Sequence, residues 1–199
     1  MNSEIEVKFP NVDHETIRQL LRRLGAECEY ENRLMKRVVI HSKEMSTKDA
    51  FIRVRDEGYR TTVTYKQFDR DTVDGAKEYE VIVSNFDEII NIFKSGGLDY
   101  DVYQESKREN WRISDVEIML DEWPWLKPYM EIEGPSEEKI KDVANKLGFD
   151  WSDGIFGGVA NLYRLQYPHI GESGNDVINH DWKVIKFDDP APDLLIQKF

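Results

Sequence analysis

Charged residues recur at every second position in this sequence, a spacing that brings like charges together. In a β-strand, side chains at positions i and i+2 point to the same side of the sheet. Groups at this spacing are Arg53 with Arg55, Glu78 with Glu80, Glu131 with Glu133, and the row Glu4, Glu6 and Lys8. Like charges on one face repel each other, so we expect a ligand that neutralises them.

A metal-bound triphosphate would neutralise both signs of charge. Carboxylate clusters bind hard divalent cations such as Mg²⁺ or Mn²⁺, and arginine offers a planar fork of donors that suits phosphate oxygens. Lys66 and Asp121 each end an alternating stretch and add one more group of each kind. Two interpretations stay open on charge alone: the charged rows line an enclosed cavity, or they lie in water around an ordinary apolar core.

Alternation and helix signals predict an α+β fold around these rows. Predicted strands lie near residues 4–9, 33–41, 50–56, 60–68, 77–83, 100–111, 112–121 and 128–133. Amphipathic helices are predicted after Asp13, from Phe86 to Lys94, after Pro135 and at about 158–165. This order of elements favours an eight-stranded antiparallel β-barrel with helices packed outside. The helices would cover the apolar rows of the strands, and the charged rows would lie inside the barrel.

Length and composition bound the organisation of the chain. The 199 residues, 40% of them hydrophobic and 33% charged, fit one soluble domain. We predict that this domain covers residues 1–167. Residues 168–199 form a tail, rich in proline and glycine breaks, that either packs on the barrel or acts as a lid.

Charge and cysteine content exclude several classes of protein. The net charge of −12 argues against a nucleic-acid partner, because a polyphosphate backbone would be repelled over most of the surface. Cys28 is the single cysteine, which excludes an internal disulfide and a zinc site built on several cysteines. No apolar stretch has the length of a signal peptide or a membrane span, so we expect a cytoplasmic protein without a membrane partner.

Short motifs follow one another in a fixed order along residues 4–133. The first is Glu4-Ile-Glu-Val-Lys8. It is followed by Ile52-Arg-Val-Arg55, Thr64-Tyr-Lys66, Glu78-Tyr-Glu80, Lys107-Arg108, Leu120-Asp121 and Leu126-Lys-Pro-Tyr-Met-Glu-Ile-Glu133. This series resembles the CYTH superfamily, whose members include class IV adenylyl cyclases, thiamine triphosphatases and inorganic triphosphatases, and whose signature is ExExK.

The resemblance implies a triphosphate tunnel in which acidic residues hold a divalent metal and basic residues hold phosphates. The implied metal ligands, direct or through water, are Glu4, Glu6, Asp121, Glu131 and Glu133. The implied phosphate-binding residues are Lys8, Arg53, Arg55, Lys66 and Arg108. Glu78 and Glu80 would orient the basic residues or hold a second metal. Lys8 would also activate the attacking water if its neighbours lower its pKa.

The sequence departs from the family pattern at two places. The family often has Lys-x-Arg on the strand after the second helix, whereas here Lys107 directly precedes Arg108 and faces the opposite way. We keep Lys107 as a candidate phosphate ligand with this difference in mind. Where many members have an aromatic pair after the first helix, this chain has basic residues, so Arg33 or Arg37 would add positive charge.

Three functions follow from these residues. The first is a metal-dependent phosphohydrolase acting on tripolyphosphate, thiamine triphosphate or a nucleoside triphosphate. The second is a class IV-like adenylyl cyclase that converts ATP to cyclic AMP and pyrophosphate, and the third is a non-catalytic polyphosphate or nucleotide-binding module. Cyclases of the family commonly carry His-Phe upstream of ExExK, but only Met1-Asn-Ser precedes Glu4, which favours hydrolysis. The preferred cation and the oligomeric state, monomer or homodimer, stay open.

Overall fold

The computed structural model of the chain describes residues 5–68, 76–170 and 182–196. Within these ranges the strands are β1 Ile5–Pro10, β2 Glu27–Ile40, β3 Ala50–Asp56, β4 Thr61–Phe68, β5 Ala76–Val83, β6 Val102–Ile113, β7 Val116–Glu122, β8 Tyr129–Gly134 and β9 Val184–Ile185. The helices are α1 His14–Arg23, α2 Lys43–Ser46, α3 Phe86–Ser95, α4 Glu137–Lys146 and α5 Ala160–Gln166. The α+β class and the existence of the eight predicted strands are confirmed. Their bounds differ in places, since β6 continues to Ile113 and β2 begins at Glu27, and β9 was not predicted.

Side-chain caps explain where the longer helices begin. The carboxylate of Asp13 accepts a hydrogen bond from the backbone N–H of Thr16 at 2.7 Å, and Asn85 accepts one from Glu88 at 2.9 Å. Each cap satisfies a backbone donor that has no partner inside its own helix. The short helix α2 was not predicted, because one turn is too short to show a helical period.

The strands are ordered β1-β8-β7-β6-β2-β3-β4-β5, and β9 lies parallel to β6. The chain divides into a first unit, residues 1–33, 106–175 and 187–199, and a second unit, residues 34–105 and 176–186. β2 and β6 contribute residues to both units. Pairing among the described residues leaves β1 and β5 as the ends of this order, so the closed barrel stays a prediction.

The first unit covers the apolar face of its strands with helices. Its core comprises Val7, Phe9, Ile118, Leu120, Met130 and Ile132 from the strands, Ile17 and Leu21 from α1, and Ile140, Val143, Ala144 and Leu147 from α4. Full burial of each larger side chain contributes about 1.5–3 kcal/mol. The charged residues at alternate positions, such as Lys8 and Glu131, therefore lie on the face away from the helices.

The second unit repeats this arrangement around α3. Val38, Ile40 and Val54 are fully buried and pack with Ile90 of α3. Arg53 and Arg55 alternate with Val54 and thus occupy the opposite face of β3. Within each unit, the interpretation in which helices cover the apolar rows is confirmed.

Several described residues of the predicted tail contact the rest of their own unit. In the first unit, the indole N–H of Trp125 donates to the carbonyl of Asp189 at 3.0 Å. In the second unit, β9 pairs with Tyr103 and Gln104. The boundary between a domain at 1–167 and a tail at 168–199 stays a prediction. Among the described residues, no helix is both long enough and apolar enough to span a membrane.

Candidate functional site

Lys8 is buried between two carboxylates in the first unit. Its Nζ atom lies 2.7 Å from Glu6 Oε1 and 3.3 Å from Glu131 Oε2, and the residue is 3% exposed. Burial alone would lower the pKa of Lys8, but the charges of Glu131 and Glu6 outweigh it and raise that pKa. Lys8 is therefore held as a cation. The lowered pKa that a water-activating base would need is not found.

The register of β1 and β8 creates this cluster. Lys8 is paired with Glu131, and Glu6 is paired with Glu133. Directly opposite residues of an antiparallel pair carry Cβ atoms about 4.5–5.5 Å apart, within reach of charged side chains. Both backbone hydrogen bonds of Lys8 on its other side go to Ile155, at 2.9 and 2.8 Å, which fixes β1 from that edge.

Three carboxylates converge beside Lys8. One oxygen each from Glu6, Glu131 and Glu133 lies within 4.8 Å of the others. Burial, and then the negative charge of Glu131, raises the pKa of Glu6. Mg²⁺ binds oxygens at about 2.0–2.1 Å, so opposite ligands of one ion lie about 4 Å apart and modest side-chain rotation would bring these oxygens into range. The residues present fit a hard divalent cation.

Arg108, whose side chain is 22% exposed, and the buried Asp121 form an ion pair on the same face. Arg108 Nε donates to Asp121 Oδ1 and Nη2 donates to Oδ2, each at 2.7 Å. Arg108 Nη2 also lies 3.5 Å from Glu131 Oε2, so Glu131 lies within 4 Å of both Lys8 and Arg108. Asp121, predicted as a metal ligand, lies on this face, but both of its carboxylate oxygens accept hydrogen bonds from Arg108.

Two further predicted basic residues of the first unit differ in direction: Lys107 points away from the face of Arg108, whereas Arg33 reaches Asn110, which lies on that face. Lys107 lies opposite Glu122 in the ladder, and its Nζ atom is 4.6 Å from the centre of the Phe187 ring. It therefore points away from the face of Arg108, as its position along β6 requires. Arg33 donates to the carbonyl of Arg108 at 3.2 Å and to Asn110 Oδ1 at 2.9 Å.

The second unit carries the predicted basic row on one face. Arg53 Nη2 lies 3.8 Å from Glu78 Oε1, and Lys66 Nζ lies 3.6 Å from Glu78 Oε2. Glu78 therefore lies between two cations, and its role, orienting them or holding a second metal, stays a prediction. Arg55 Nη1 is 3.8 Å from Glu57 Oε1, and Glu80 accepts a hydrogen bond from the hydroxyl of Thr64 at 2.8 Å.

Polar residues that the sequence reasoning missed lie on this same face. Gln104 is 1% exposed and its Oε1 accepts a hydrogen bond from Arg37 Nε at 2.5 Å. Thr62 lies opposite Arg55, is fully buried, and its hydroxyl has no hydrogen-bond partner within the described ranges. The sequence could have indicated Thr62, because Thr62, Thr64 and Lys66 stand at alternate positions and side chains at alternate positions of a strand share a face. Glu4 lies outside the described residues.

Solved structures of similar fold come from several organisms. The PH1012 protein of Pyrococcus horikoshii is 24% identical with a TM-score of 0.62, over 80% of this chain and 98% of that one. A candidate adenylate cyclase of Vibrio parahaemolyticus is 12% identical with a TM-score of 0.67, over 80% and 96%. A candidate adenylyl cyclase of Hippeastrum, described as having a dominant triphosphatase activity, is 13% identical with a TM-score of 0.52, over 78% and 91%. Identities this low show a shared fold and not a shared reaction.

Sequence comparison decides the family. No curated protein matches the chain. The family model described as the CYTH domain matches residues 2–153, which include every motif from Glu6 to Glu133 placed above. With charged rows on the helix-free face of each unit, and Glu6 and Lys8 of the ExExK motif on β1, the chain belongs to the CYTH domain family.

Proposed function

We propose that this protein is a metal-dependent phosphohydrolase that acts on a triphosphate substrate. The observation that carries the proposal is the convergence of three carboxylates, Glu6, Glu131 and Glu133, within 4.8 Å of one another. Two cations, Lys8 and Arg108, lie beside them at 3.3 and 3.5 Å from Glu131. A site that offers both oxygen ligands and fixed cations suits a metal-bound polyanion.

The three carboxylates would hold Mg²⁺ or Mn²⁺. Glu4 precedes Glu6 by two residues, so it stays a predicted ligand on the same row. The bound ion would supply charge neutralisation at the phosphate oxygens. The full acidic set favours catalysis over a module that only binds phosphate, which would need the basic row alone.

Lys8 and Arg108 would hold phosphate oxygens as fixed cations. Burial, which by itself would lower the pKa of Arg108, is outweighed by Asp121 and Glu131, which raise it. Both side chains therefore keep their charge in surroundings that are shielded from water, almost completely for Lys8 and in part for Arg108, whose side chain is 22% exposed. Fixed charges act more strongly in such surroundings than in bulk water. In phosphoryl transfer, positioning and charge stabilisation supply most of the rate enhancement.

In the second unit, taken by itself, Arg53, Arg55 and Lys66 form a basic row that suits phosphate oxygens. Their ion pairs with Glu78 and Glu57 measure 3.6–3.8 Å, longer than a charge-assisted hydrogen bond of about 2.7–2.9 Å. This proposal also includes a closed eight-stranded barrel formed by residues 1–167, a small-molecule substrate and a cytoplasmic location.

A substrate panel tests the reaction. Purified protein is incubated with ATP, thiamine triphosphate or tripolyphosphate, each with Mg²⁺ or Mn²⁺, and the products are separated by anion exchange. We expect metal-dependent release of phosphate that chelation with EDTA stops. Formation of cyclic AMP and pyrophosphate from ATP would show a cyclase instead, and binding without any product would show a binding module.

A further inference from the structure

A row of charged side chains crosses four strands of the first unit beside the candidate metal site. Glu6 of β1 lies opposite Glu133 of β8, and Glu133 lies opposite Glu117 of β7. Glu117 in turn lies opposite Arg112 of β6. Directly opposite residues of an antiparallel pair have Cβ atoms about 4.5–5.5 Å apart on one face. Three carboxylates therefore stand side by side, and one arginine ends the row.

Glu117 belongs to this row but not to the cluster of carboxylates that converge. That cluster, within the described part of the chain, consists of Glu6, Glu131 and Glu133. Glu117 has the same position relative to Glu133 as Glu6 has, since each lies directly opposite it. The ladder alone therefore does not explain why Glu6 joins the cluster and Glu117 stays apart from it.

The side chain of Arg112 explains the difference. Its Nη2 atom donates to Glu117 Oε1. The same guanidinium donates from Nε to Glu29 Oε1 at 2.5 Å and from Nη2 to Glu29 Oε2 at 3.2 Å, so Glu29 of β2 fixes its orientation from the other side. Because β7 lies between β6 and β8, a Glu117 carboxylate that binds Arg112 is turned away from Glu133.

The number of carboxylates at a metal site influences which divalent cation it prefers. Ca²⁺ takes roughly six to eight oxygens at about 2.3–2.6 Å in a flexible geometry. Mg²⁺ requires an almost ideal octahedron at about 2.0–2.1 Å and usually keeps several waters beside one or two carboxylates. A fourth carboxylate would therefore strengthen the binding of Ca²⁺ more than that of Mg²⁺.

We propose that Arg112 is a positioning residue that holds Glu117 away from the metal site and thereby sets the preference of that site for Mg²⁺ over Ca²⁺. The inference rests on the proposed function for the metal site alone and does not depend on hydrolysis. It goes further in giving roles to two residues outside the motif series, Arg112 and Glu117, and in naming the property that they control.

Cation binding by two Arg112 variants tests the inference without requiring turnover. Dissociation constants for Mg²⁺ and Ca²⁺ are measured by isothermal titration calorimetry for the wild type, Arg112→Gln and Arg112→Met. Loss of the guanidinium frees Glu117, so both variants should bind Ca²⁺ about tenfold more tightly. This is the order of change seen when residues that orient metal ligands are altered. The affinity for Mg²⁺ should change much less.

A second background separates positioning from a simple effect of charge. Arg112→Gln is combined with Glu117→Gln, and the double variant is compared with Glu117→Gln alone. If Arg112 acts through Glu117, its removal should leave the Ca²⁺ affinity of this background unchanged, because no carboxylate is released. An equal gain in both backgrounds, or an equal gain for Mg²⁺ and Ca²⁺, would show an effect of charge alone and overturn the inference.

Controls check the fold and the choice of site. The side chain of Arg112 is 35% exposed, and Arg112→Met keeps the aliphatic part of that side chain if Arg112→Gln fails to fold. Thermal unfolding without added metal monitors both variants. Arg23→Gln removes an exposed arginine from the last turn of α1, so its affinities should equal those of the wild type. Unchanged Ca²⁺ affinity in both Arg112 variants would also overturn the inference.

The outcomes distinguish this inference from the proposed function. Mg²⁺ binding that Glu131→Gln abolishes and that the Arg112 variants leave unchanged, with Ca²⁺ affinity unchanged as well, would support the metal site and refute the role of Arg112. Tighter Ca²⁺ binding that requires Glu117, without phosphate release from any triphosphate, would support the role of Arg112 and refute the hydrolase. Absence of Mg²⁺ and Ca²⁺ binding from every protein would refute both.

Discussion

Arg108 and Asp121 face each other directly across β6 and β7 and are joined by two hydrogen bonds of 2.7 Å each. Asp121 is 1% exposed, so its carboxylate depends on this partner for compensation of its charge. The same guanidinium approaches Glu131 at 3.5 Å. The pair thus fixes a cation beside the three carboxylates of the candidate metal site.

Asp121→Asn should destabilise the protein. Removal of one partner leaves the partly buried Arg108 with Glu131 as its remaining counter-ion, which should cost less than the about 3–5 kcal/mol typical of a fully buried pair. Urea unfolding followed by circular dichroism gives the change in free energy. Asp115→Asn is the control, because Asp115 is exposed, pairs with Lys139 at the surface and should give no measurable change. Equal stabilities of wild type and Asp121→Asn would contradict the structural role of the pair.

Glu131→Gln should abolish metal-dependent turnover and leave the fold intact. The amide keeps the shape of the side chain but removes the charge that is shared by Lys8, Arg108 and the candidate metal. We expect activity to fall more than about a hundredfold, beyond the 10–100-fold typical of residues that only support a metal ligand. Steady-state kinetics measure the loss of activity, and calorimetry measures the binding of Mn²⁺.

The matched control for Glu131 is Glu138→Gln, which changes an exposed glutamate on α4. Its activity and Mn²⁺ affinity should equal those of the wild type. Undiminished Mn²⁺ binding in Glu131→Gln would remove Glu131 from the metal site.

Gly154→Ala should disturb β1 from its outer edge. A Cβ atom at this position would lie 2.5 Å from Val7 Cγ2 and 3.0 Å from the carbonyl oxygen of Trp151. Val7, between Glu6 and Lys8 on β1, or the loop that carries Gly154 must then shift, at a typical cost of about 1–3 kcal/mol. We expect lower unfolding free energy and slower turnover together.

Gly158→Ala provides the control for Gly154, since its added Cβ would meet nothing within 4 Å. It should leave stability and turnover close to the wild-type values. If Gly154→Ala behaved in the same way, the close approach of this loop to β1 would not position the site.

Glu57 should make the stability of the protein depend on pH in the acid range. Burial by itself would raise the pKa of Glu57, but the hydrogen bond and charge of Arg60, whose Nε donates to Glu57 at 2.7 Å, outweigh it and lower that pKa. A carboxyl group whose pKa is lower in the folded than in the unfolded state stabilises the fold at pH values above its pKa in the unfolded state. This contribution is lost as the pH falls through the folded value.

Comparison of wild type with Glu57→Gln measures this contribution. Unfolding free energies are determined between about pH 7 and pH 3, the range around an ordinary carboxyl pKa. The wild type should be the more stable protein at pH 7, and the difference should shrink toward pH 3. A difference that is constant over this range would show that Glu57 acts by packing alone. Glu44→Gln, at an exposed position of α2, controls for loss of a surface charge.

Thr62→Val tests a buried hydroxyl on the basic face of the second unit. This hydroxyl has no hydrogen-bond partner in the described part of the chain, so replacing it with a methyl group should not lower stability. If it donates to a phosphate oxygen, the affinity for tripolyphosphate with Mg²⁺ should fall about two- to tenfold. Calorimetry and thermal unfolding measure the two effects, and unchanged affinity would exclude the contact.

Local patterns in the sequence were enough to predict most elements and the residues of each charged row. Alternation in Glu4–Phe9 and Met130–Glu133 predicts which residues share a face, because the period of a strand is two whatever it pairs with. Asp13 predicts the start of α1 for an equally local reason, since a cap acts within its own first turn. The first part of β2 escaped prediction because residues 27–32 are all exposed, so no apolar alternation marks them.

The tertiary structure decided which charges of these rows meet. The pairing of Asp121 with Arg108, the position of Glu131 between Lys8 and Arg108, and the raised pKa of Lys8 all depend on the register of β1, β6, β7 and β8. The hydrogen bond between Arg37 and Gln104, which are 67 positions apart, likewise requires distant parts of the chain to be neighbours in space. A strand's own sequence sets the face of each side chain, but its register is set by turns and by packing of the apolar face, and these involve distant residues.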